Sequence, residues 1–394
     1  MVAMTNYTAS VHSLSFAKPQ LRRVAALLAP LRGLHGRVPR AAYLMVENFV
    51  LIAEGRWRSL DANVDEIIAL ARDDRRTPLP EIDRRMATGT ALYMRCSVQA
   101  GNQDPGFRTS LAALAELGLQ FFTVGSQLAP VLFHRLRGED ELAREHSARA
   151  EVGLVQLGNA WVFTSQLLWL TPIAYGWVGD VLGLKRTIDE LERRVVHEPH
   201  FEPFLVIARA EYARARRDPS AAIELLRPLL ARLGPDDLLF AAVAEGALVD
   251  ALLDAARPHE AITAAQSCRT RLDVEGKRSY LVRIDTAHAR ALVQCDRHDE
   301  AAALLERLLG QAEGTGSPAL CGAVHEALAV LAAARGDAER ERRHTDQAAL
   351  LYATTRNPIL MARGRMRGAD VAPSASRSLD DATLQLGDGE RSTQ

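Results

Sequence analysis

Lysine is nearly missing from this chain. It occurs only at Lys18, Lys185 and Lys277, so almost all of the 48 basic residues are arginine. Arginine spread over the whole length reads as the mark of a GC-rich, bacterial genome rather than of bidentate contacts at one site. Aromatics are scarce at 5%, and β-branched residues are few beside Ala and Leu. That mixture disfavours a strand-rich fold and favours helix. The four cysteines, Cys96, Cys268, Cys295 and Cys321, contain no CxxC pair. A disulfide framework does not suit so large a chain, and reduced thiols in a cytoplasmic setting are the simple reading. A net charge of -1 supplies no field that would draw the chain to nucleic acid or to an acidic membrane.

Catalytic signatures are absent as well. There is no GxxxxGK[ST] phosphate loop, no kinase catalytic loop, no Asp-Phe-Gly and no GxSxG elbow. Gly33-Leu34-His35-Gly36 is only a turn. His197-Glu198-Pro199-His200 has its histidines three apart with a helix-breaking proline between them, whereas a zinc protease needs two His four apart on one helical face. We therefore expect no catalytic residues, no cofactor and no metal. Residues 152–179 carry no charge, but Gln156, Asn159, Gln166 and Pro172 interrupt them. A buried mid-chain helix pair fits this stretch better than a membrane span.

What the sequence does have is a ruler. Ala222, Ala261 and Ala301 recur at a near-constant interval of roughly 40 residues, and Ala143 lies close to two such intervals before Ala222. Each opens a helix-like segment after a short polar turn. The clearest unit has an apolar stripe at Ile207, Ala210 and Ala213, then the turn Arg217-Asp218-Pro219-Ser220. A second apolar segment follows at Ala222, Ile223, Leu225, Leu226, Leu229 and Leu230, and Gly234-Pro235 ends it. Pro suits a first helical turn, Ser and Asp cap free N–H groups, and Gly stops a helix. The scheme repeats around Arg257-Pro258-His259, Asp296-Arg297-His298 and Arg335-Gly336-Asp337. More worn copies lie upstream at Gly55, Gln103, Gly138 and Gly179. A fixed period of this length predicts stacked helix pairs, about eight of them.

The turns Gly55-Arg56-Trp57, Gly138-Glu139-Asp140, Asp299-Glu300-Ala301 and Arg335-Gly336-Asp337 resemble the inter-helix turns of tetratricopeptide repeats, as does the small residue early in each second helix. The likeness spans roughly residues 40–360, with a period of roughly 40 rather than about 34 residues. It is closest in style to elongated arrays in the sensor halves of maltose-regulator-type activators and of large bacterial kinases with ATPase modules. The resemblance implies an all-α, right-handed α-solenoid of antiparallel helix pairs that binds proteins or small effectors, without chemistry of its own.

The expected organisation is a basic helical segment or partial repeat at 1–40, a solenoid at 41–368 and a disordered polar tail at 369–394. The first acidic residue is Glu47, so the start is basic. It reads as a helix pair facing a neighbour, with a transit peptide as the weaker reading. Structural repeat positions are Ala143, Ala222, Ala261, Ala301, Gly55, Gly138 and Gly336. The candidate partner-binding groove is Trp161, Phe163, Trp169, Tyr175, Trp177, Phe201 and Phe204, because the scarce aromatics concentrate there. An enlarged core is the competing reading of the same residues. The expected partner is a protein, a peptide or a small effector, with no nucleic acid and no membrane.

Overall fold

The computed structural model describes residues 26, 29–30, 36–54, 56–72, 80–157, 171–233, 238–273 and 278–371. Seventeen α-helices and no strand occur among them. They are α1 (Arg37–Glu54), α2 (Trp57–Arg72), α3 (Glu81–Asn102), α4 (Phe107–Glu116), α5 (Gln120–Leu136) and α6 (Asp140–Leu157). Next come α7 (Thr171–Val178), α8 (Val181–Val195), α9 (Glu202–Ala215), α10 (Pro219–Arg232), α11 (Leu238–Asp254) and α12 (Pro258–Asp273). The last are α13 (Arg278–Gln294), α14 (His298–Thr315), α15 (Pro318–Ala334), α16 (Ala338–Thr355) and α17 (Pro358–Val371). The first sixteen form eight antiparallel pairs, and α17 follows unpaired.

One turn design recurs inside the pairs. A residue in the left-handed region sits at Gln103, Gly138, Gly179, Arg217, Ala256, Asp296 and Gly336. The next residue's N–H reaches back to a carbonyl five residues earlier, as in Glu139 to His134, Asp218 to Ala213, Arg297 to Leu292 and Asp337 to Ala332. This closes the last carbonyls of the first helix. The second helix then starts on a side-chain cap: the carboxylates of Asp180, Asp218 and Asp337 accept from the N–H groups of Gly183, Ala221 and Arg340. Ala143, Ala222, Ala261 and Ala301 follow one turn later and are at most 1% exposed. Gly55 lies outside the described residues.

Apart from α6 and α7, each helix packs on its sequence neighbour, and first helices also stack on one another: α9 on α11, α11 on α13, α13 on α15. That is the translational stacking of an α-solenoid. The stack also curls onto itself. α11 touches α1, and α13 touches α3. The apolar core runs unbroken from Tyr43 to Leu331. As a result the middle of α11 is buried on all sides, from Ala241 to Leu253, as a helix without a polar face should be.

Candidate functional site

Charged residues inside an apolar solenoid are the features that packing does not explain. They gather where α7, α9, α11 and α13 meet. Glu211 on α9 is 1% exposed and Arg283 on α13 is 7% exposed. Arg283 donates from Nη2 to Glu211 Oε1 over 2.7 Å, and from Nε and Nη2 to Asp250 Oδ2 over 3.0 and 2.8 Å. Arg214 donates to the other Glu211 oxygen at 2.9 Å, to Asp254 at 3.2 Å and to the carbonyl of Gly176 at 2.8 Å. Gly176 is required here, because a Cβ would run into the Glu211 carboxylate. Burial pushes the Asp250 carboxyl up, but Arg283 and Arg214 outweigh it and hold the group below the usual carboxylate range.

Arg283 also lies over the ring of Trp177, 5.4 Å from its centroid, a cation–π contact. Its Nη1 donates to no protein atom among the described residues. Beside it a cavity of about 30 Å³ is lined by Gly101, Gln103, Leu136, Ile173, Trp177, Arg283 and Leu320, room for about one water molecule. Gln103 is 3% exposed. Its Nε2 donates to the carbonyl of Leu136 at 3.3 Å, while its buried Oε1 accepts nothing. One acceptor therefore remains unspent in a cavity whose lining comes from five of the eight pairs. Both amide atoms of Asn48, fully buried on α1, are also unpaired. Interiors seldom leave such groups unsatisfied, which sets both positions apart from plain apolar core.

The aromatic groove expected from the sequence is divided by the structure. Trp161, Phe163 and Trp169 lie outside the described residues. Phe201 and Phe204 are 0% exposed and are corrected to core: their rings pack on each other, 6.1 Å apart, inside the stack. Tyr175 is half-buried beneath the guanidinium of Arg135, 5.3 Å from the ring centroid. Of the described members of this set, Trp177 lines the cavity. Sequence reasoning missed Arg283, Glu211 and Asp250. The available signal was a carboxylate within a mainly apolar stretch of a first helix, at Glu211 and, one repeat further on, at Asp250.

Other candidates behave as follows. Pro199–Phe201 forms a single 3₁₀ turn, and no group of three metal-ligating side chains occurs among the described residues. His344 is half-buried, with its Nδ1 3.1 Å from that of His325. Cys96, Cys268 and Cys321 are buried and Cys295 is half-buried, its sulfur 3.7 Å from His259 Nδ1. No helix among the described residues is long and apolar enough to cross a membrane.

No protein-family model matches the chain, and no curated protein matches it. Among solved structures it is similar to a Rap protein complexed with Competence and Sporulation Factor. The identity is 11%, the match covers 84% of this chain and 97% of that one, and the TM-score is 0.50. This likeness concerns the fold alone, an all-α stack of helix pairs shared over most of both molecules.

Proposed function

We propose that this chain is a non-catalytic scaffold that takes hold of a protein or peptide partner on the inner helices of its solenoid, in bacterial signal transduction or transcription regulation. The solenoid works as one unit over about residues 41–368. The observation that carries the proposal is the buried, unpaired Gln103 Oε1 in a cavity that Trp177 and Arg283 also line. As it stands the cavity holds about one water; once it is widened, a peptide N–H supplies the donor that Gln103 Oε1 lacks, and apolar side chains suit the walls of Leu136, Ile173 and Leu320. The Rap-protein structure holds a factor on a similar fold, which supports the reading by analogy. A second reading is a detached regulatory half that acts on a separate kinase or signalling ATPase; the resemblance to sensor arrays favours it.

The test compares the wild-type chain with Trp177→Leu as bait in its native cell extract. A partner retained by the wild type and lost by a Trp177→Leu variant of equal helicity is the expected result. If the variant keeps every partner, the inner surface is not the binding site. A kinase or ATPase among the retained proteins selects the second reading.

A further inference from the structure

Solenoid units contact their neighbours and little else, yet the turn after α5 reaches residues about half a chain away. Arg137, 7% exposed, donates from Nη1 to the carbonyl of Thr315 at 3.2 Å and from Nη2 to that of Gly316 at 2.5 Å. Asn357 donates to Asp140 Oδ2 at 2.6 Å while its own Oδ1 caps α17. Arg356 pairs with Glu141 at 3.2 Å. Leu360 covers the bare Cα of Gly138, which has φ +74 and leaves no room for a Cβ. These contacts join the third pair to the turns flanking the eighth.

We infer that this is a latch that holds the curled solenoid shut, and that its release opens the interior to a partner. Three observations place the opening here rather than between stacked units. Stacked units share continuous apolar stripes, such as Leu226 and Leu229 or Leu304, Leu305 and Leu308. The latch is mainly polar, and its apolar part is a small separate cluster around Ala319, Tyr352 and Leu360. Polar contacts of this kind typify interfaces that part and re-form. The seam is also the imperfectly packed place: the cavity lies directly behind it, between Leu136, which precedes Arg137, and Leu320, which follows the Thr315 and Gly316 carbonyls. Bending spread over the intervening pairs lets the seam part without breaking any one stack. The opening stands on this geometry alone; that a partner then enters rests on the function proposed above.

Cys321 is a native reporter. It is 7% exposed on α15; burial raises its thiol to about 11, and the guanidinium of Arg137 opposes that rise. With Cys96, Cys268 and Cys295 replaced by Ser, labelling by Ellman's reagent reads opening at Cys321 alone; the matching variant that keeps only Cys268 reports the closed core. Arg137→Ala should speed Cys321 labelling about tenfold or more, since it removes two charge-assisted bonds. Glu141→Arg, at the surface, should speed it a few-fold, and Glu141→Arg with Arg356→Glu should restore the wild-type rate. Cys268 should not change, and the radius of gyration should rise in Arg137→Ala. If Arg137→Ala loses helicity, the charge-swap series decides. An unchanged Cys321 rate in Glu141→Arg, or equal acceleration at Cys268, overturns the latch. A Trp177-dependent partner captured beside such a result leaves the binding proposal standing. Labelling that responds while no such partner exists removes the binding proposal and keeps the latch.

Discussion

Arg283 and Glu211 lie 72 residues apart in sequence, and Nη2 of one donates to Oε1 of the other over 2.7 Å in a buried setting. Two units separate them along the stack. Their meeting shows that charges on successive inner helices act as one network with Arg214 and Asp250. Breaking a buried pair leaves a lone charge and costs about 3–5 kcal/mol. Glu211→Leu and Arg283→Met should each lose that much in urea unfolding. The double variant should lose less than the sum of the two, since it strands fewer charges. Additive losses would show that the two side chains are not coupled.

Gly176 and Gly310 make opposite predictions from the same substitution. An added methyl at Gly176 meets the Glu211 carboxylate, whereas nothing lies within 4 Å of the position at Gly310. Gly176→Ala should destabilise by about 1–3 kcal/mol through overpacking. Gly310→Ala, on an exposed face of α14, should stabilise by roughly 0.5–1 kcal/mol through helix propensity. Thermal midpoints moving the same way for both would refute the packing account.

Ala256 occupies the left-handed turn position at φ 55, which an L-residue adopts at a cost of about 1–2 kcal/mol. Ala256→Gly should raise stability by about 0.5–1 kcal/mol. Ala301→Phe, in the first turn of α14 and fully buried, should lower it by about 1–3 kcal/mol. Chemical denaturation of both variants checks the turn and the helix crossing independently.

His325 and His344 predict an acid response. Burial and then the neighbouring imidazole bring His325 down to about 4. Burial, Arg343 and Arg340 hold His344 below its ordinary value. In the unfolded chain both take protons near about 6.5. Below that pH the unfolded state binds more protons, so stability is whole above about 6.5 and falls as pH drops toward about 4. Urea midpoints at pH 7.5 and 4.5 should differ less in His325→Phe than in the wild type. An unchanged slope would mean that the pair is not what titrates.

Some of this was legible in the residues. The alanine spacing located the second helix of each clear pair, and Gly138, Gly179 and Gly336 announced left-handed turns because glycine adopts that conformation without strain. Arg217, Ala256 and Asp296 hold the same backbone state with side chains that give no such sign, so there the turn showed only through its register. The aromatic cluster misled at Phe201 and Phe204. Composition reports where large rings are, and the same rings serve a core or a surface.

The sequence by itself determined the local grammar: helix, capped turn, helix, at one regular period, with small side chains where helices cross. Those are interactions between residues a few positions apart, and periodicity encodes them. Only the tertiary structure decided how far the stack curls. That curvature sums small rotations over many units, so it brings Arg137 to Thr315 and Arg283 to Glu211 without leaving a local mark. Whether the interior is an open groove or a latched seam is set by that sum.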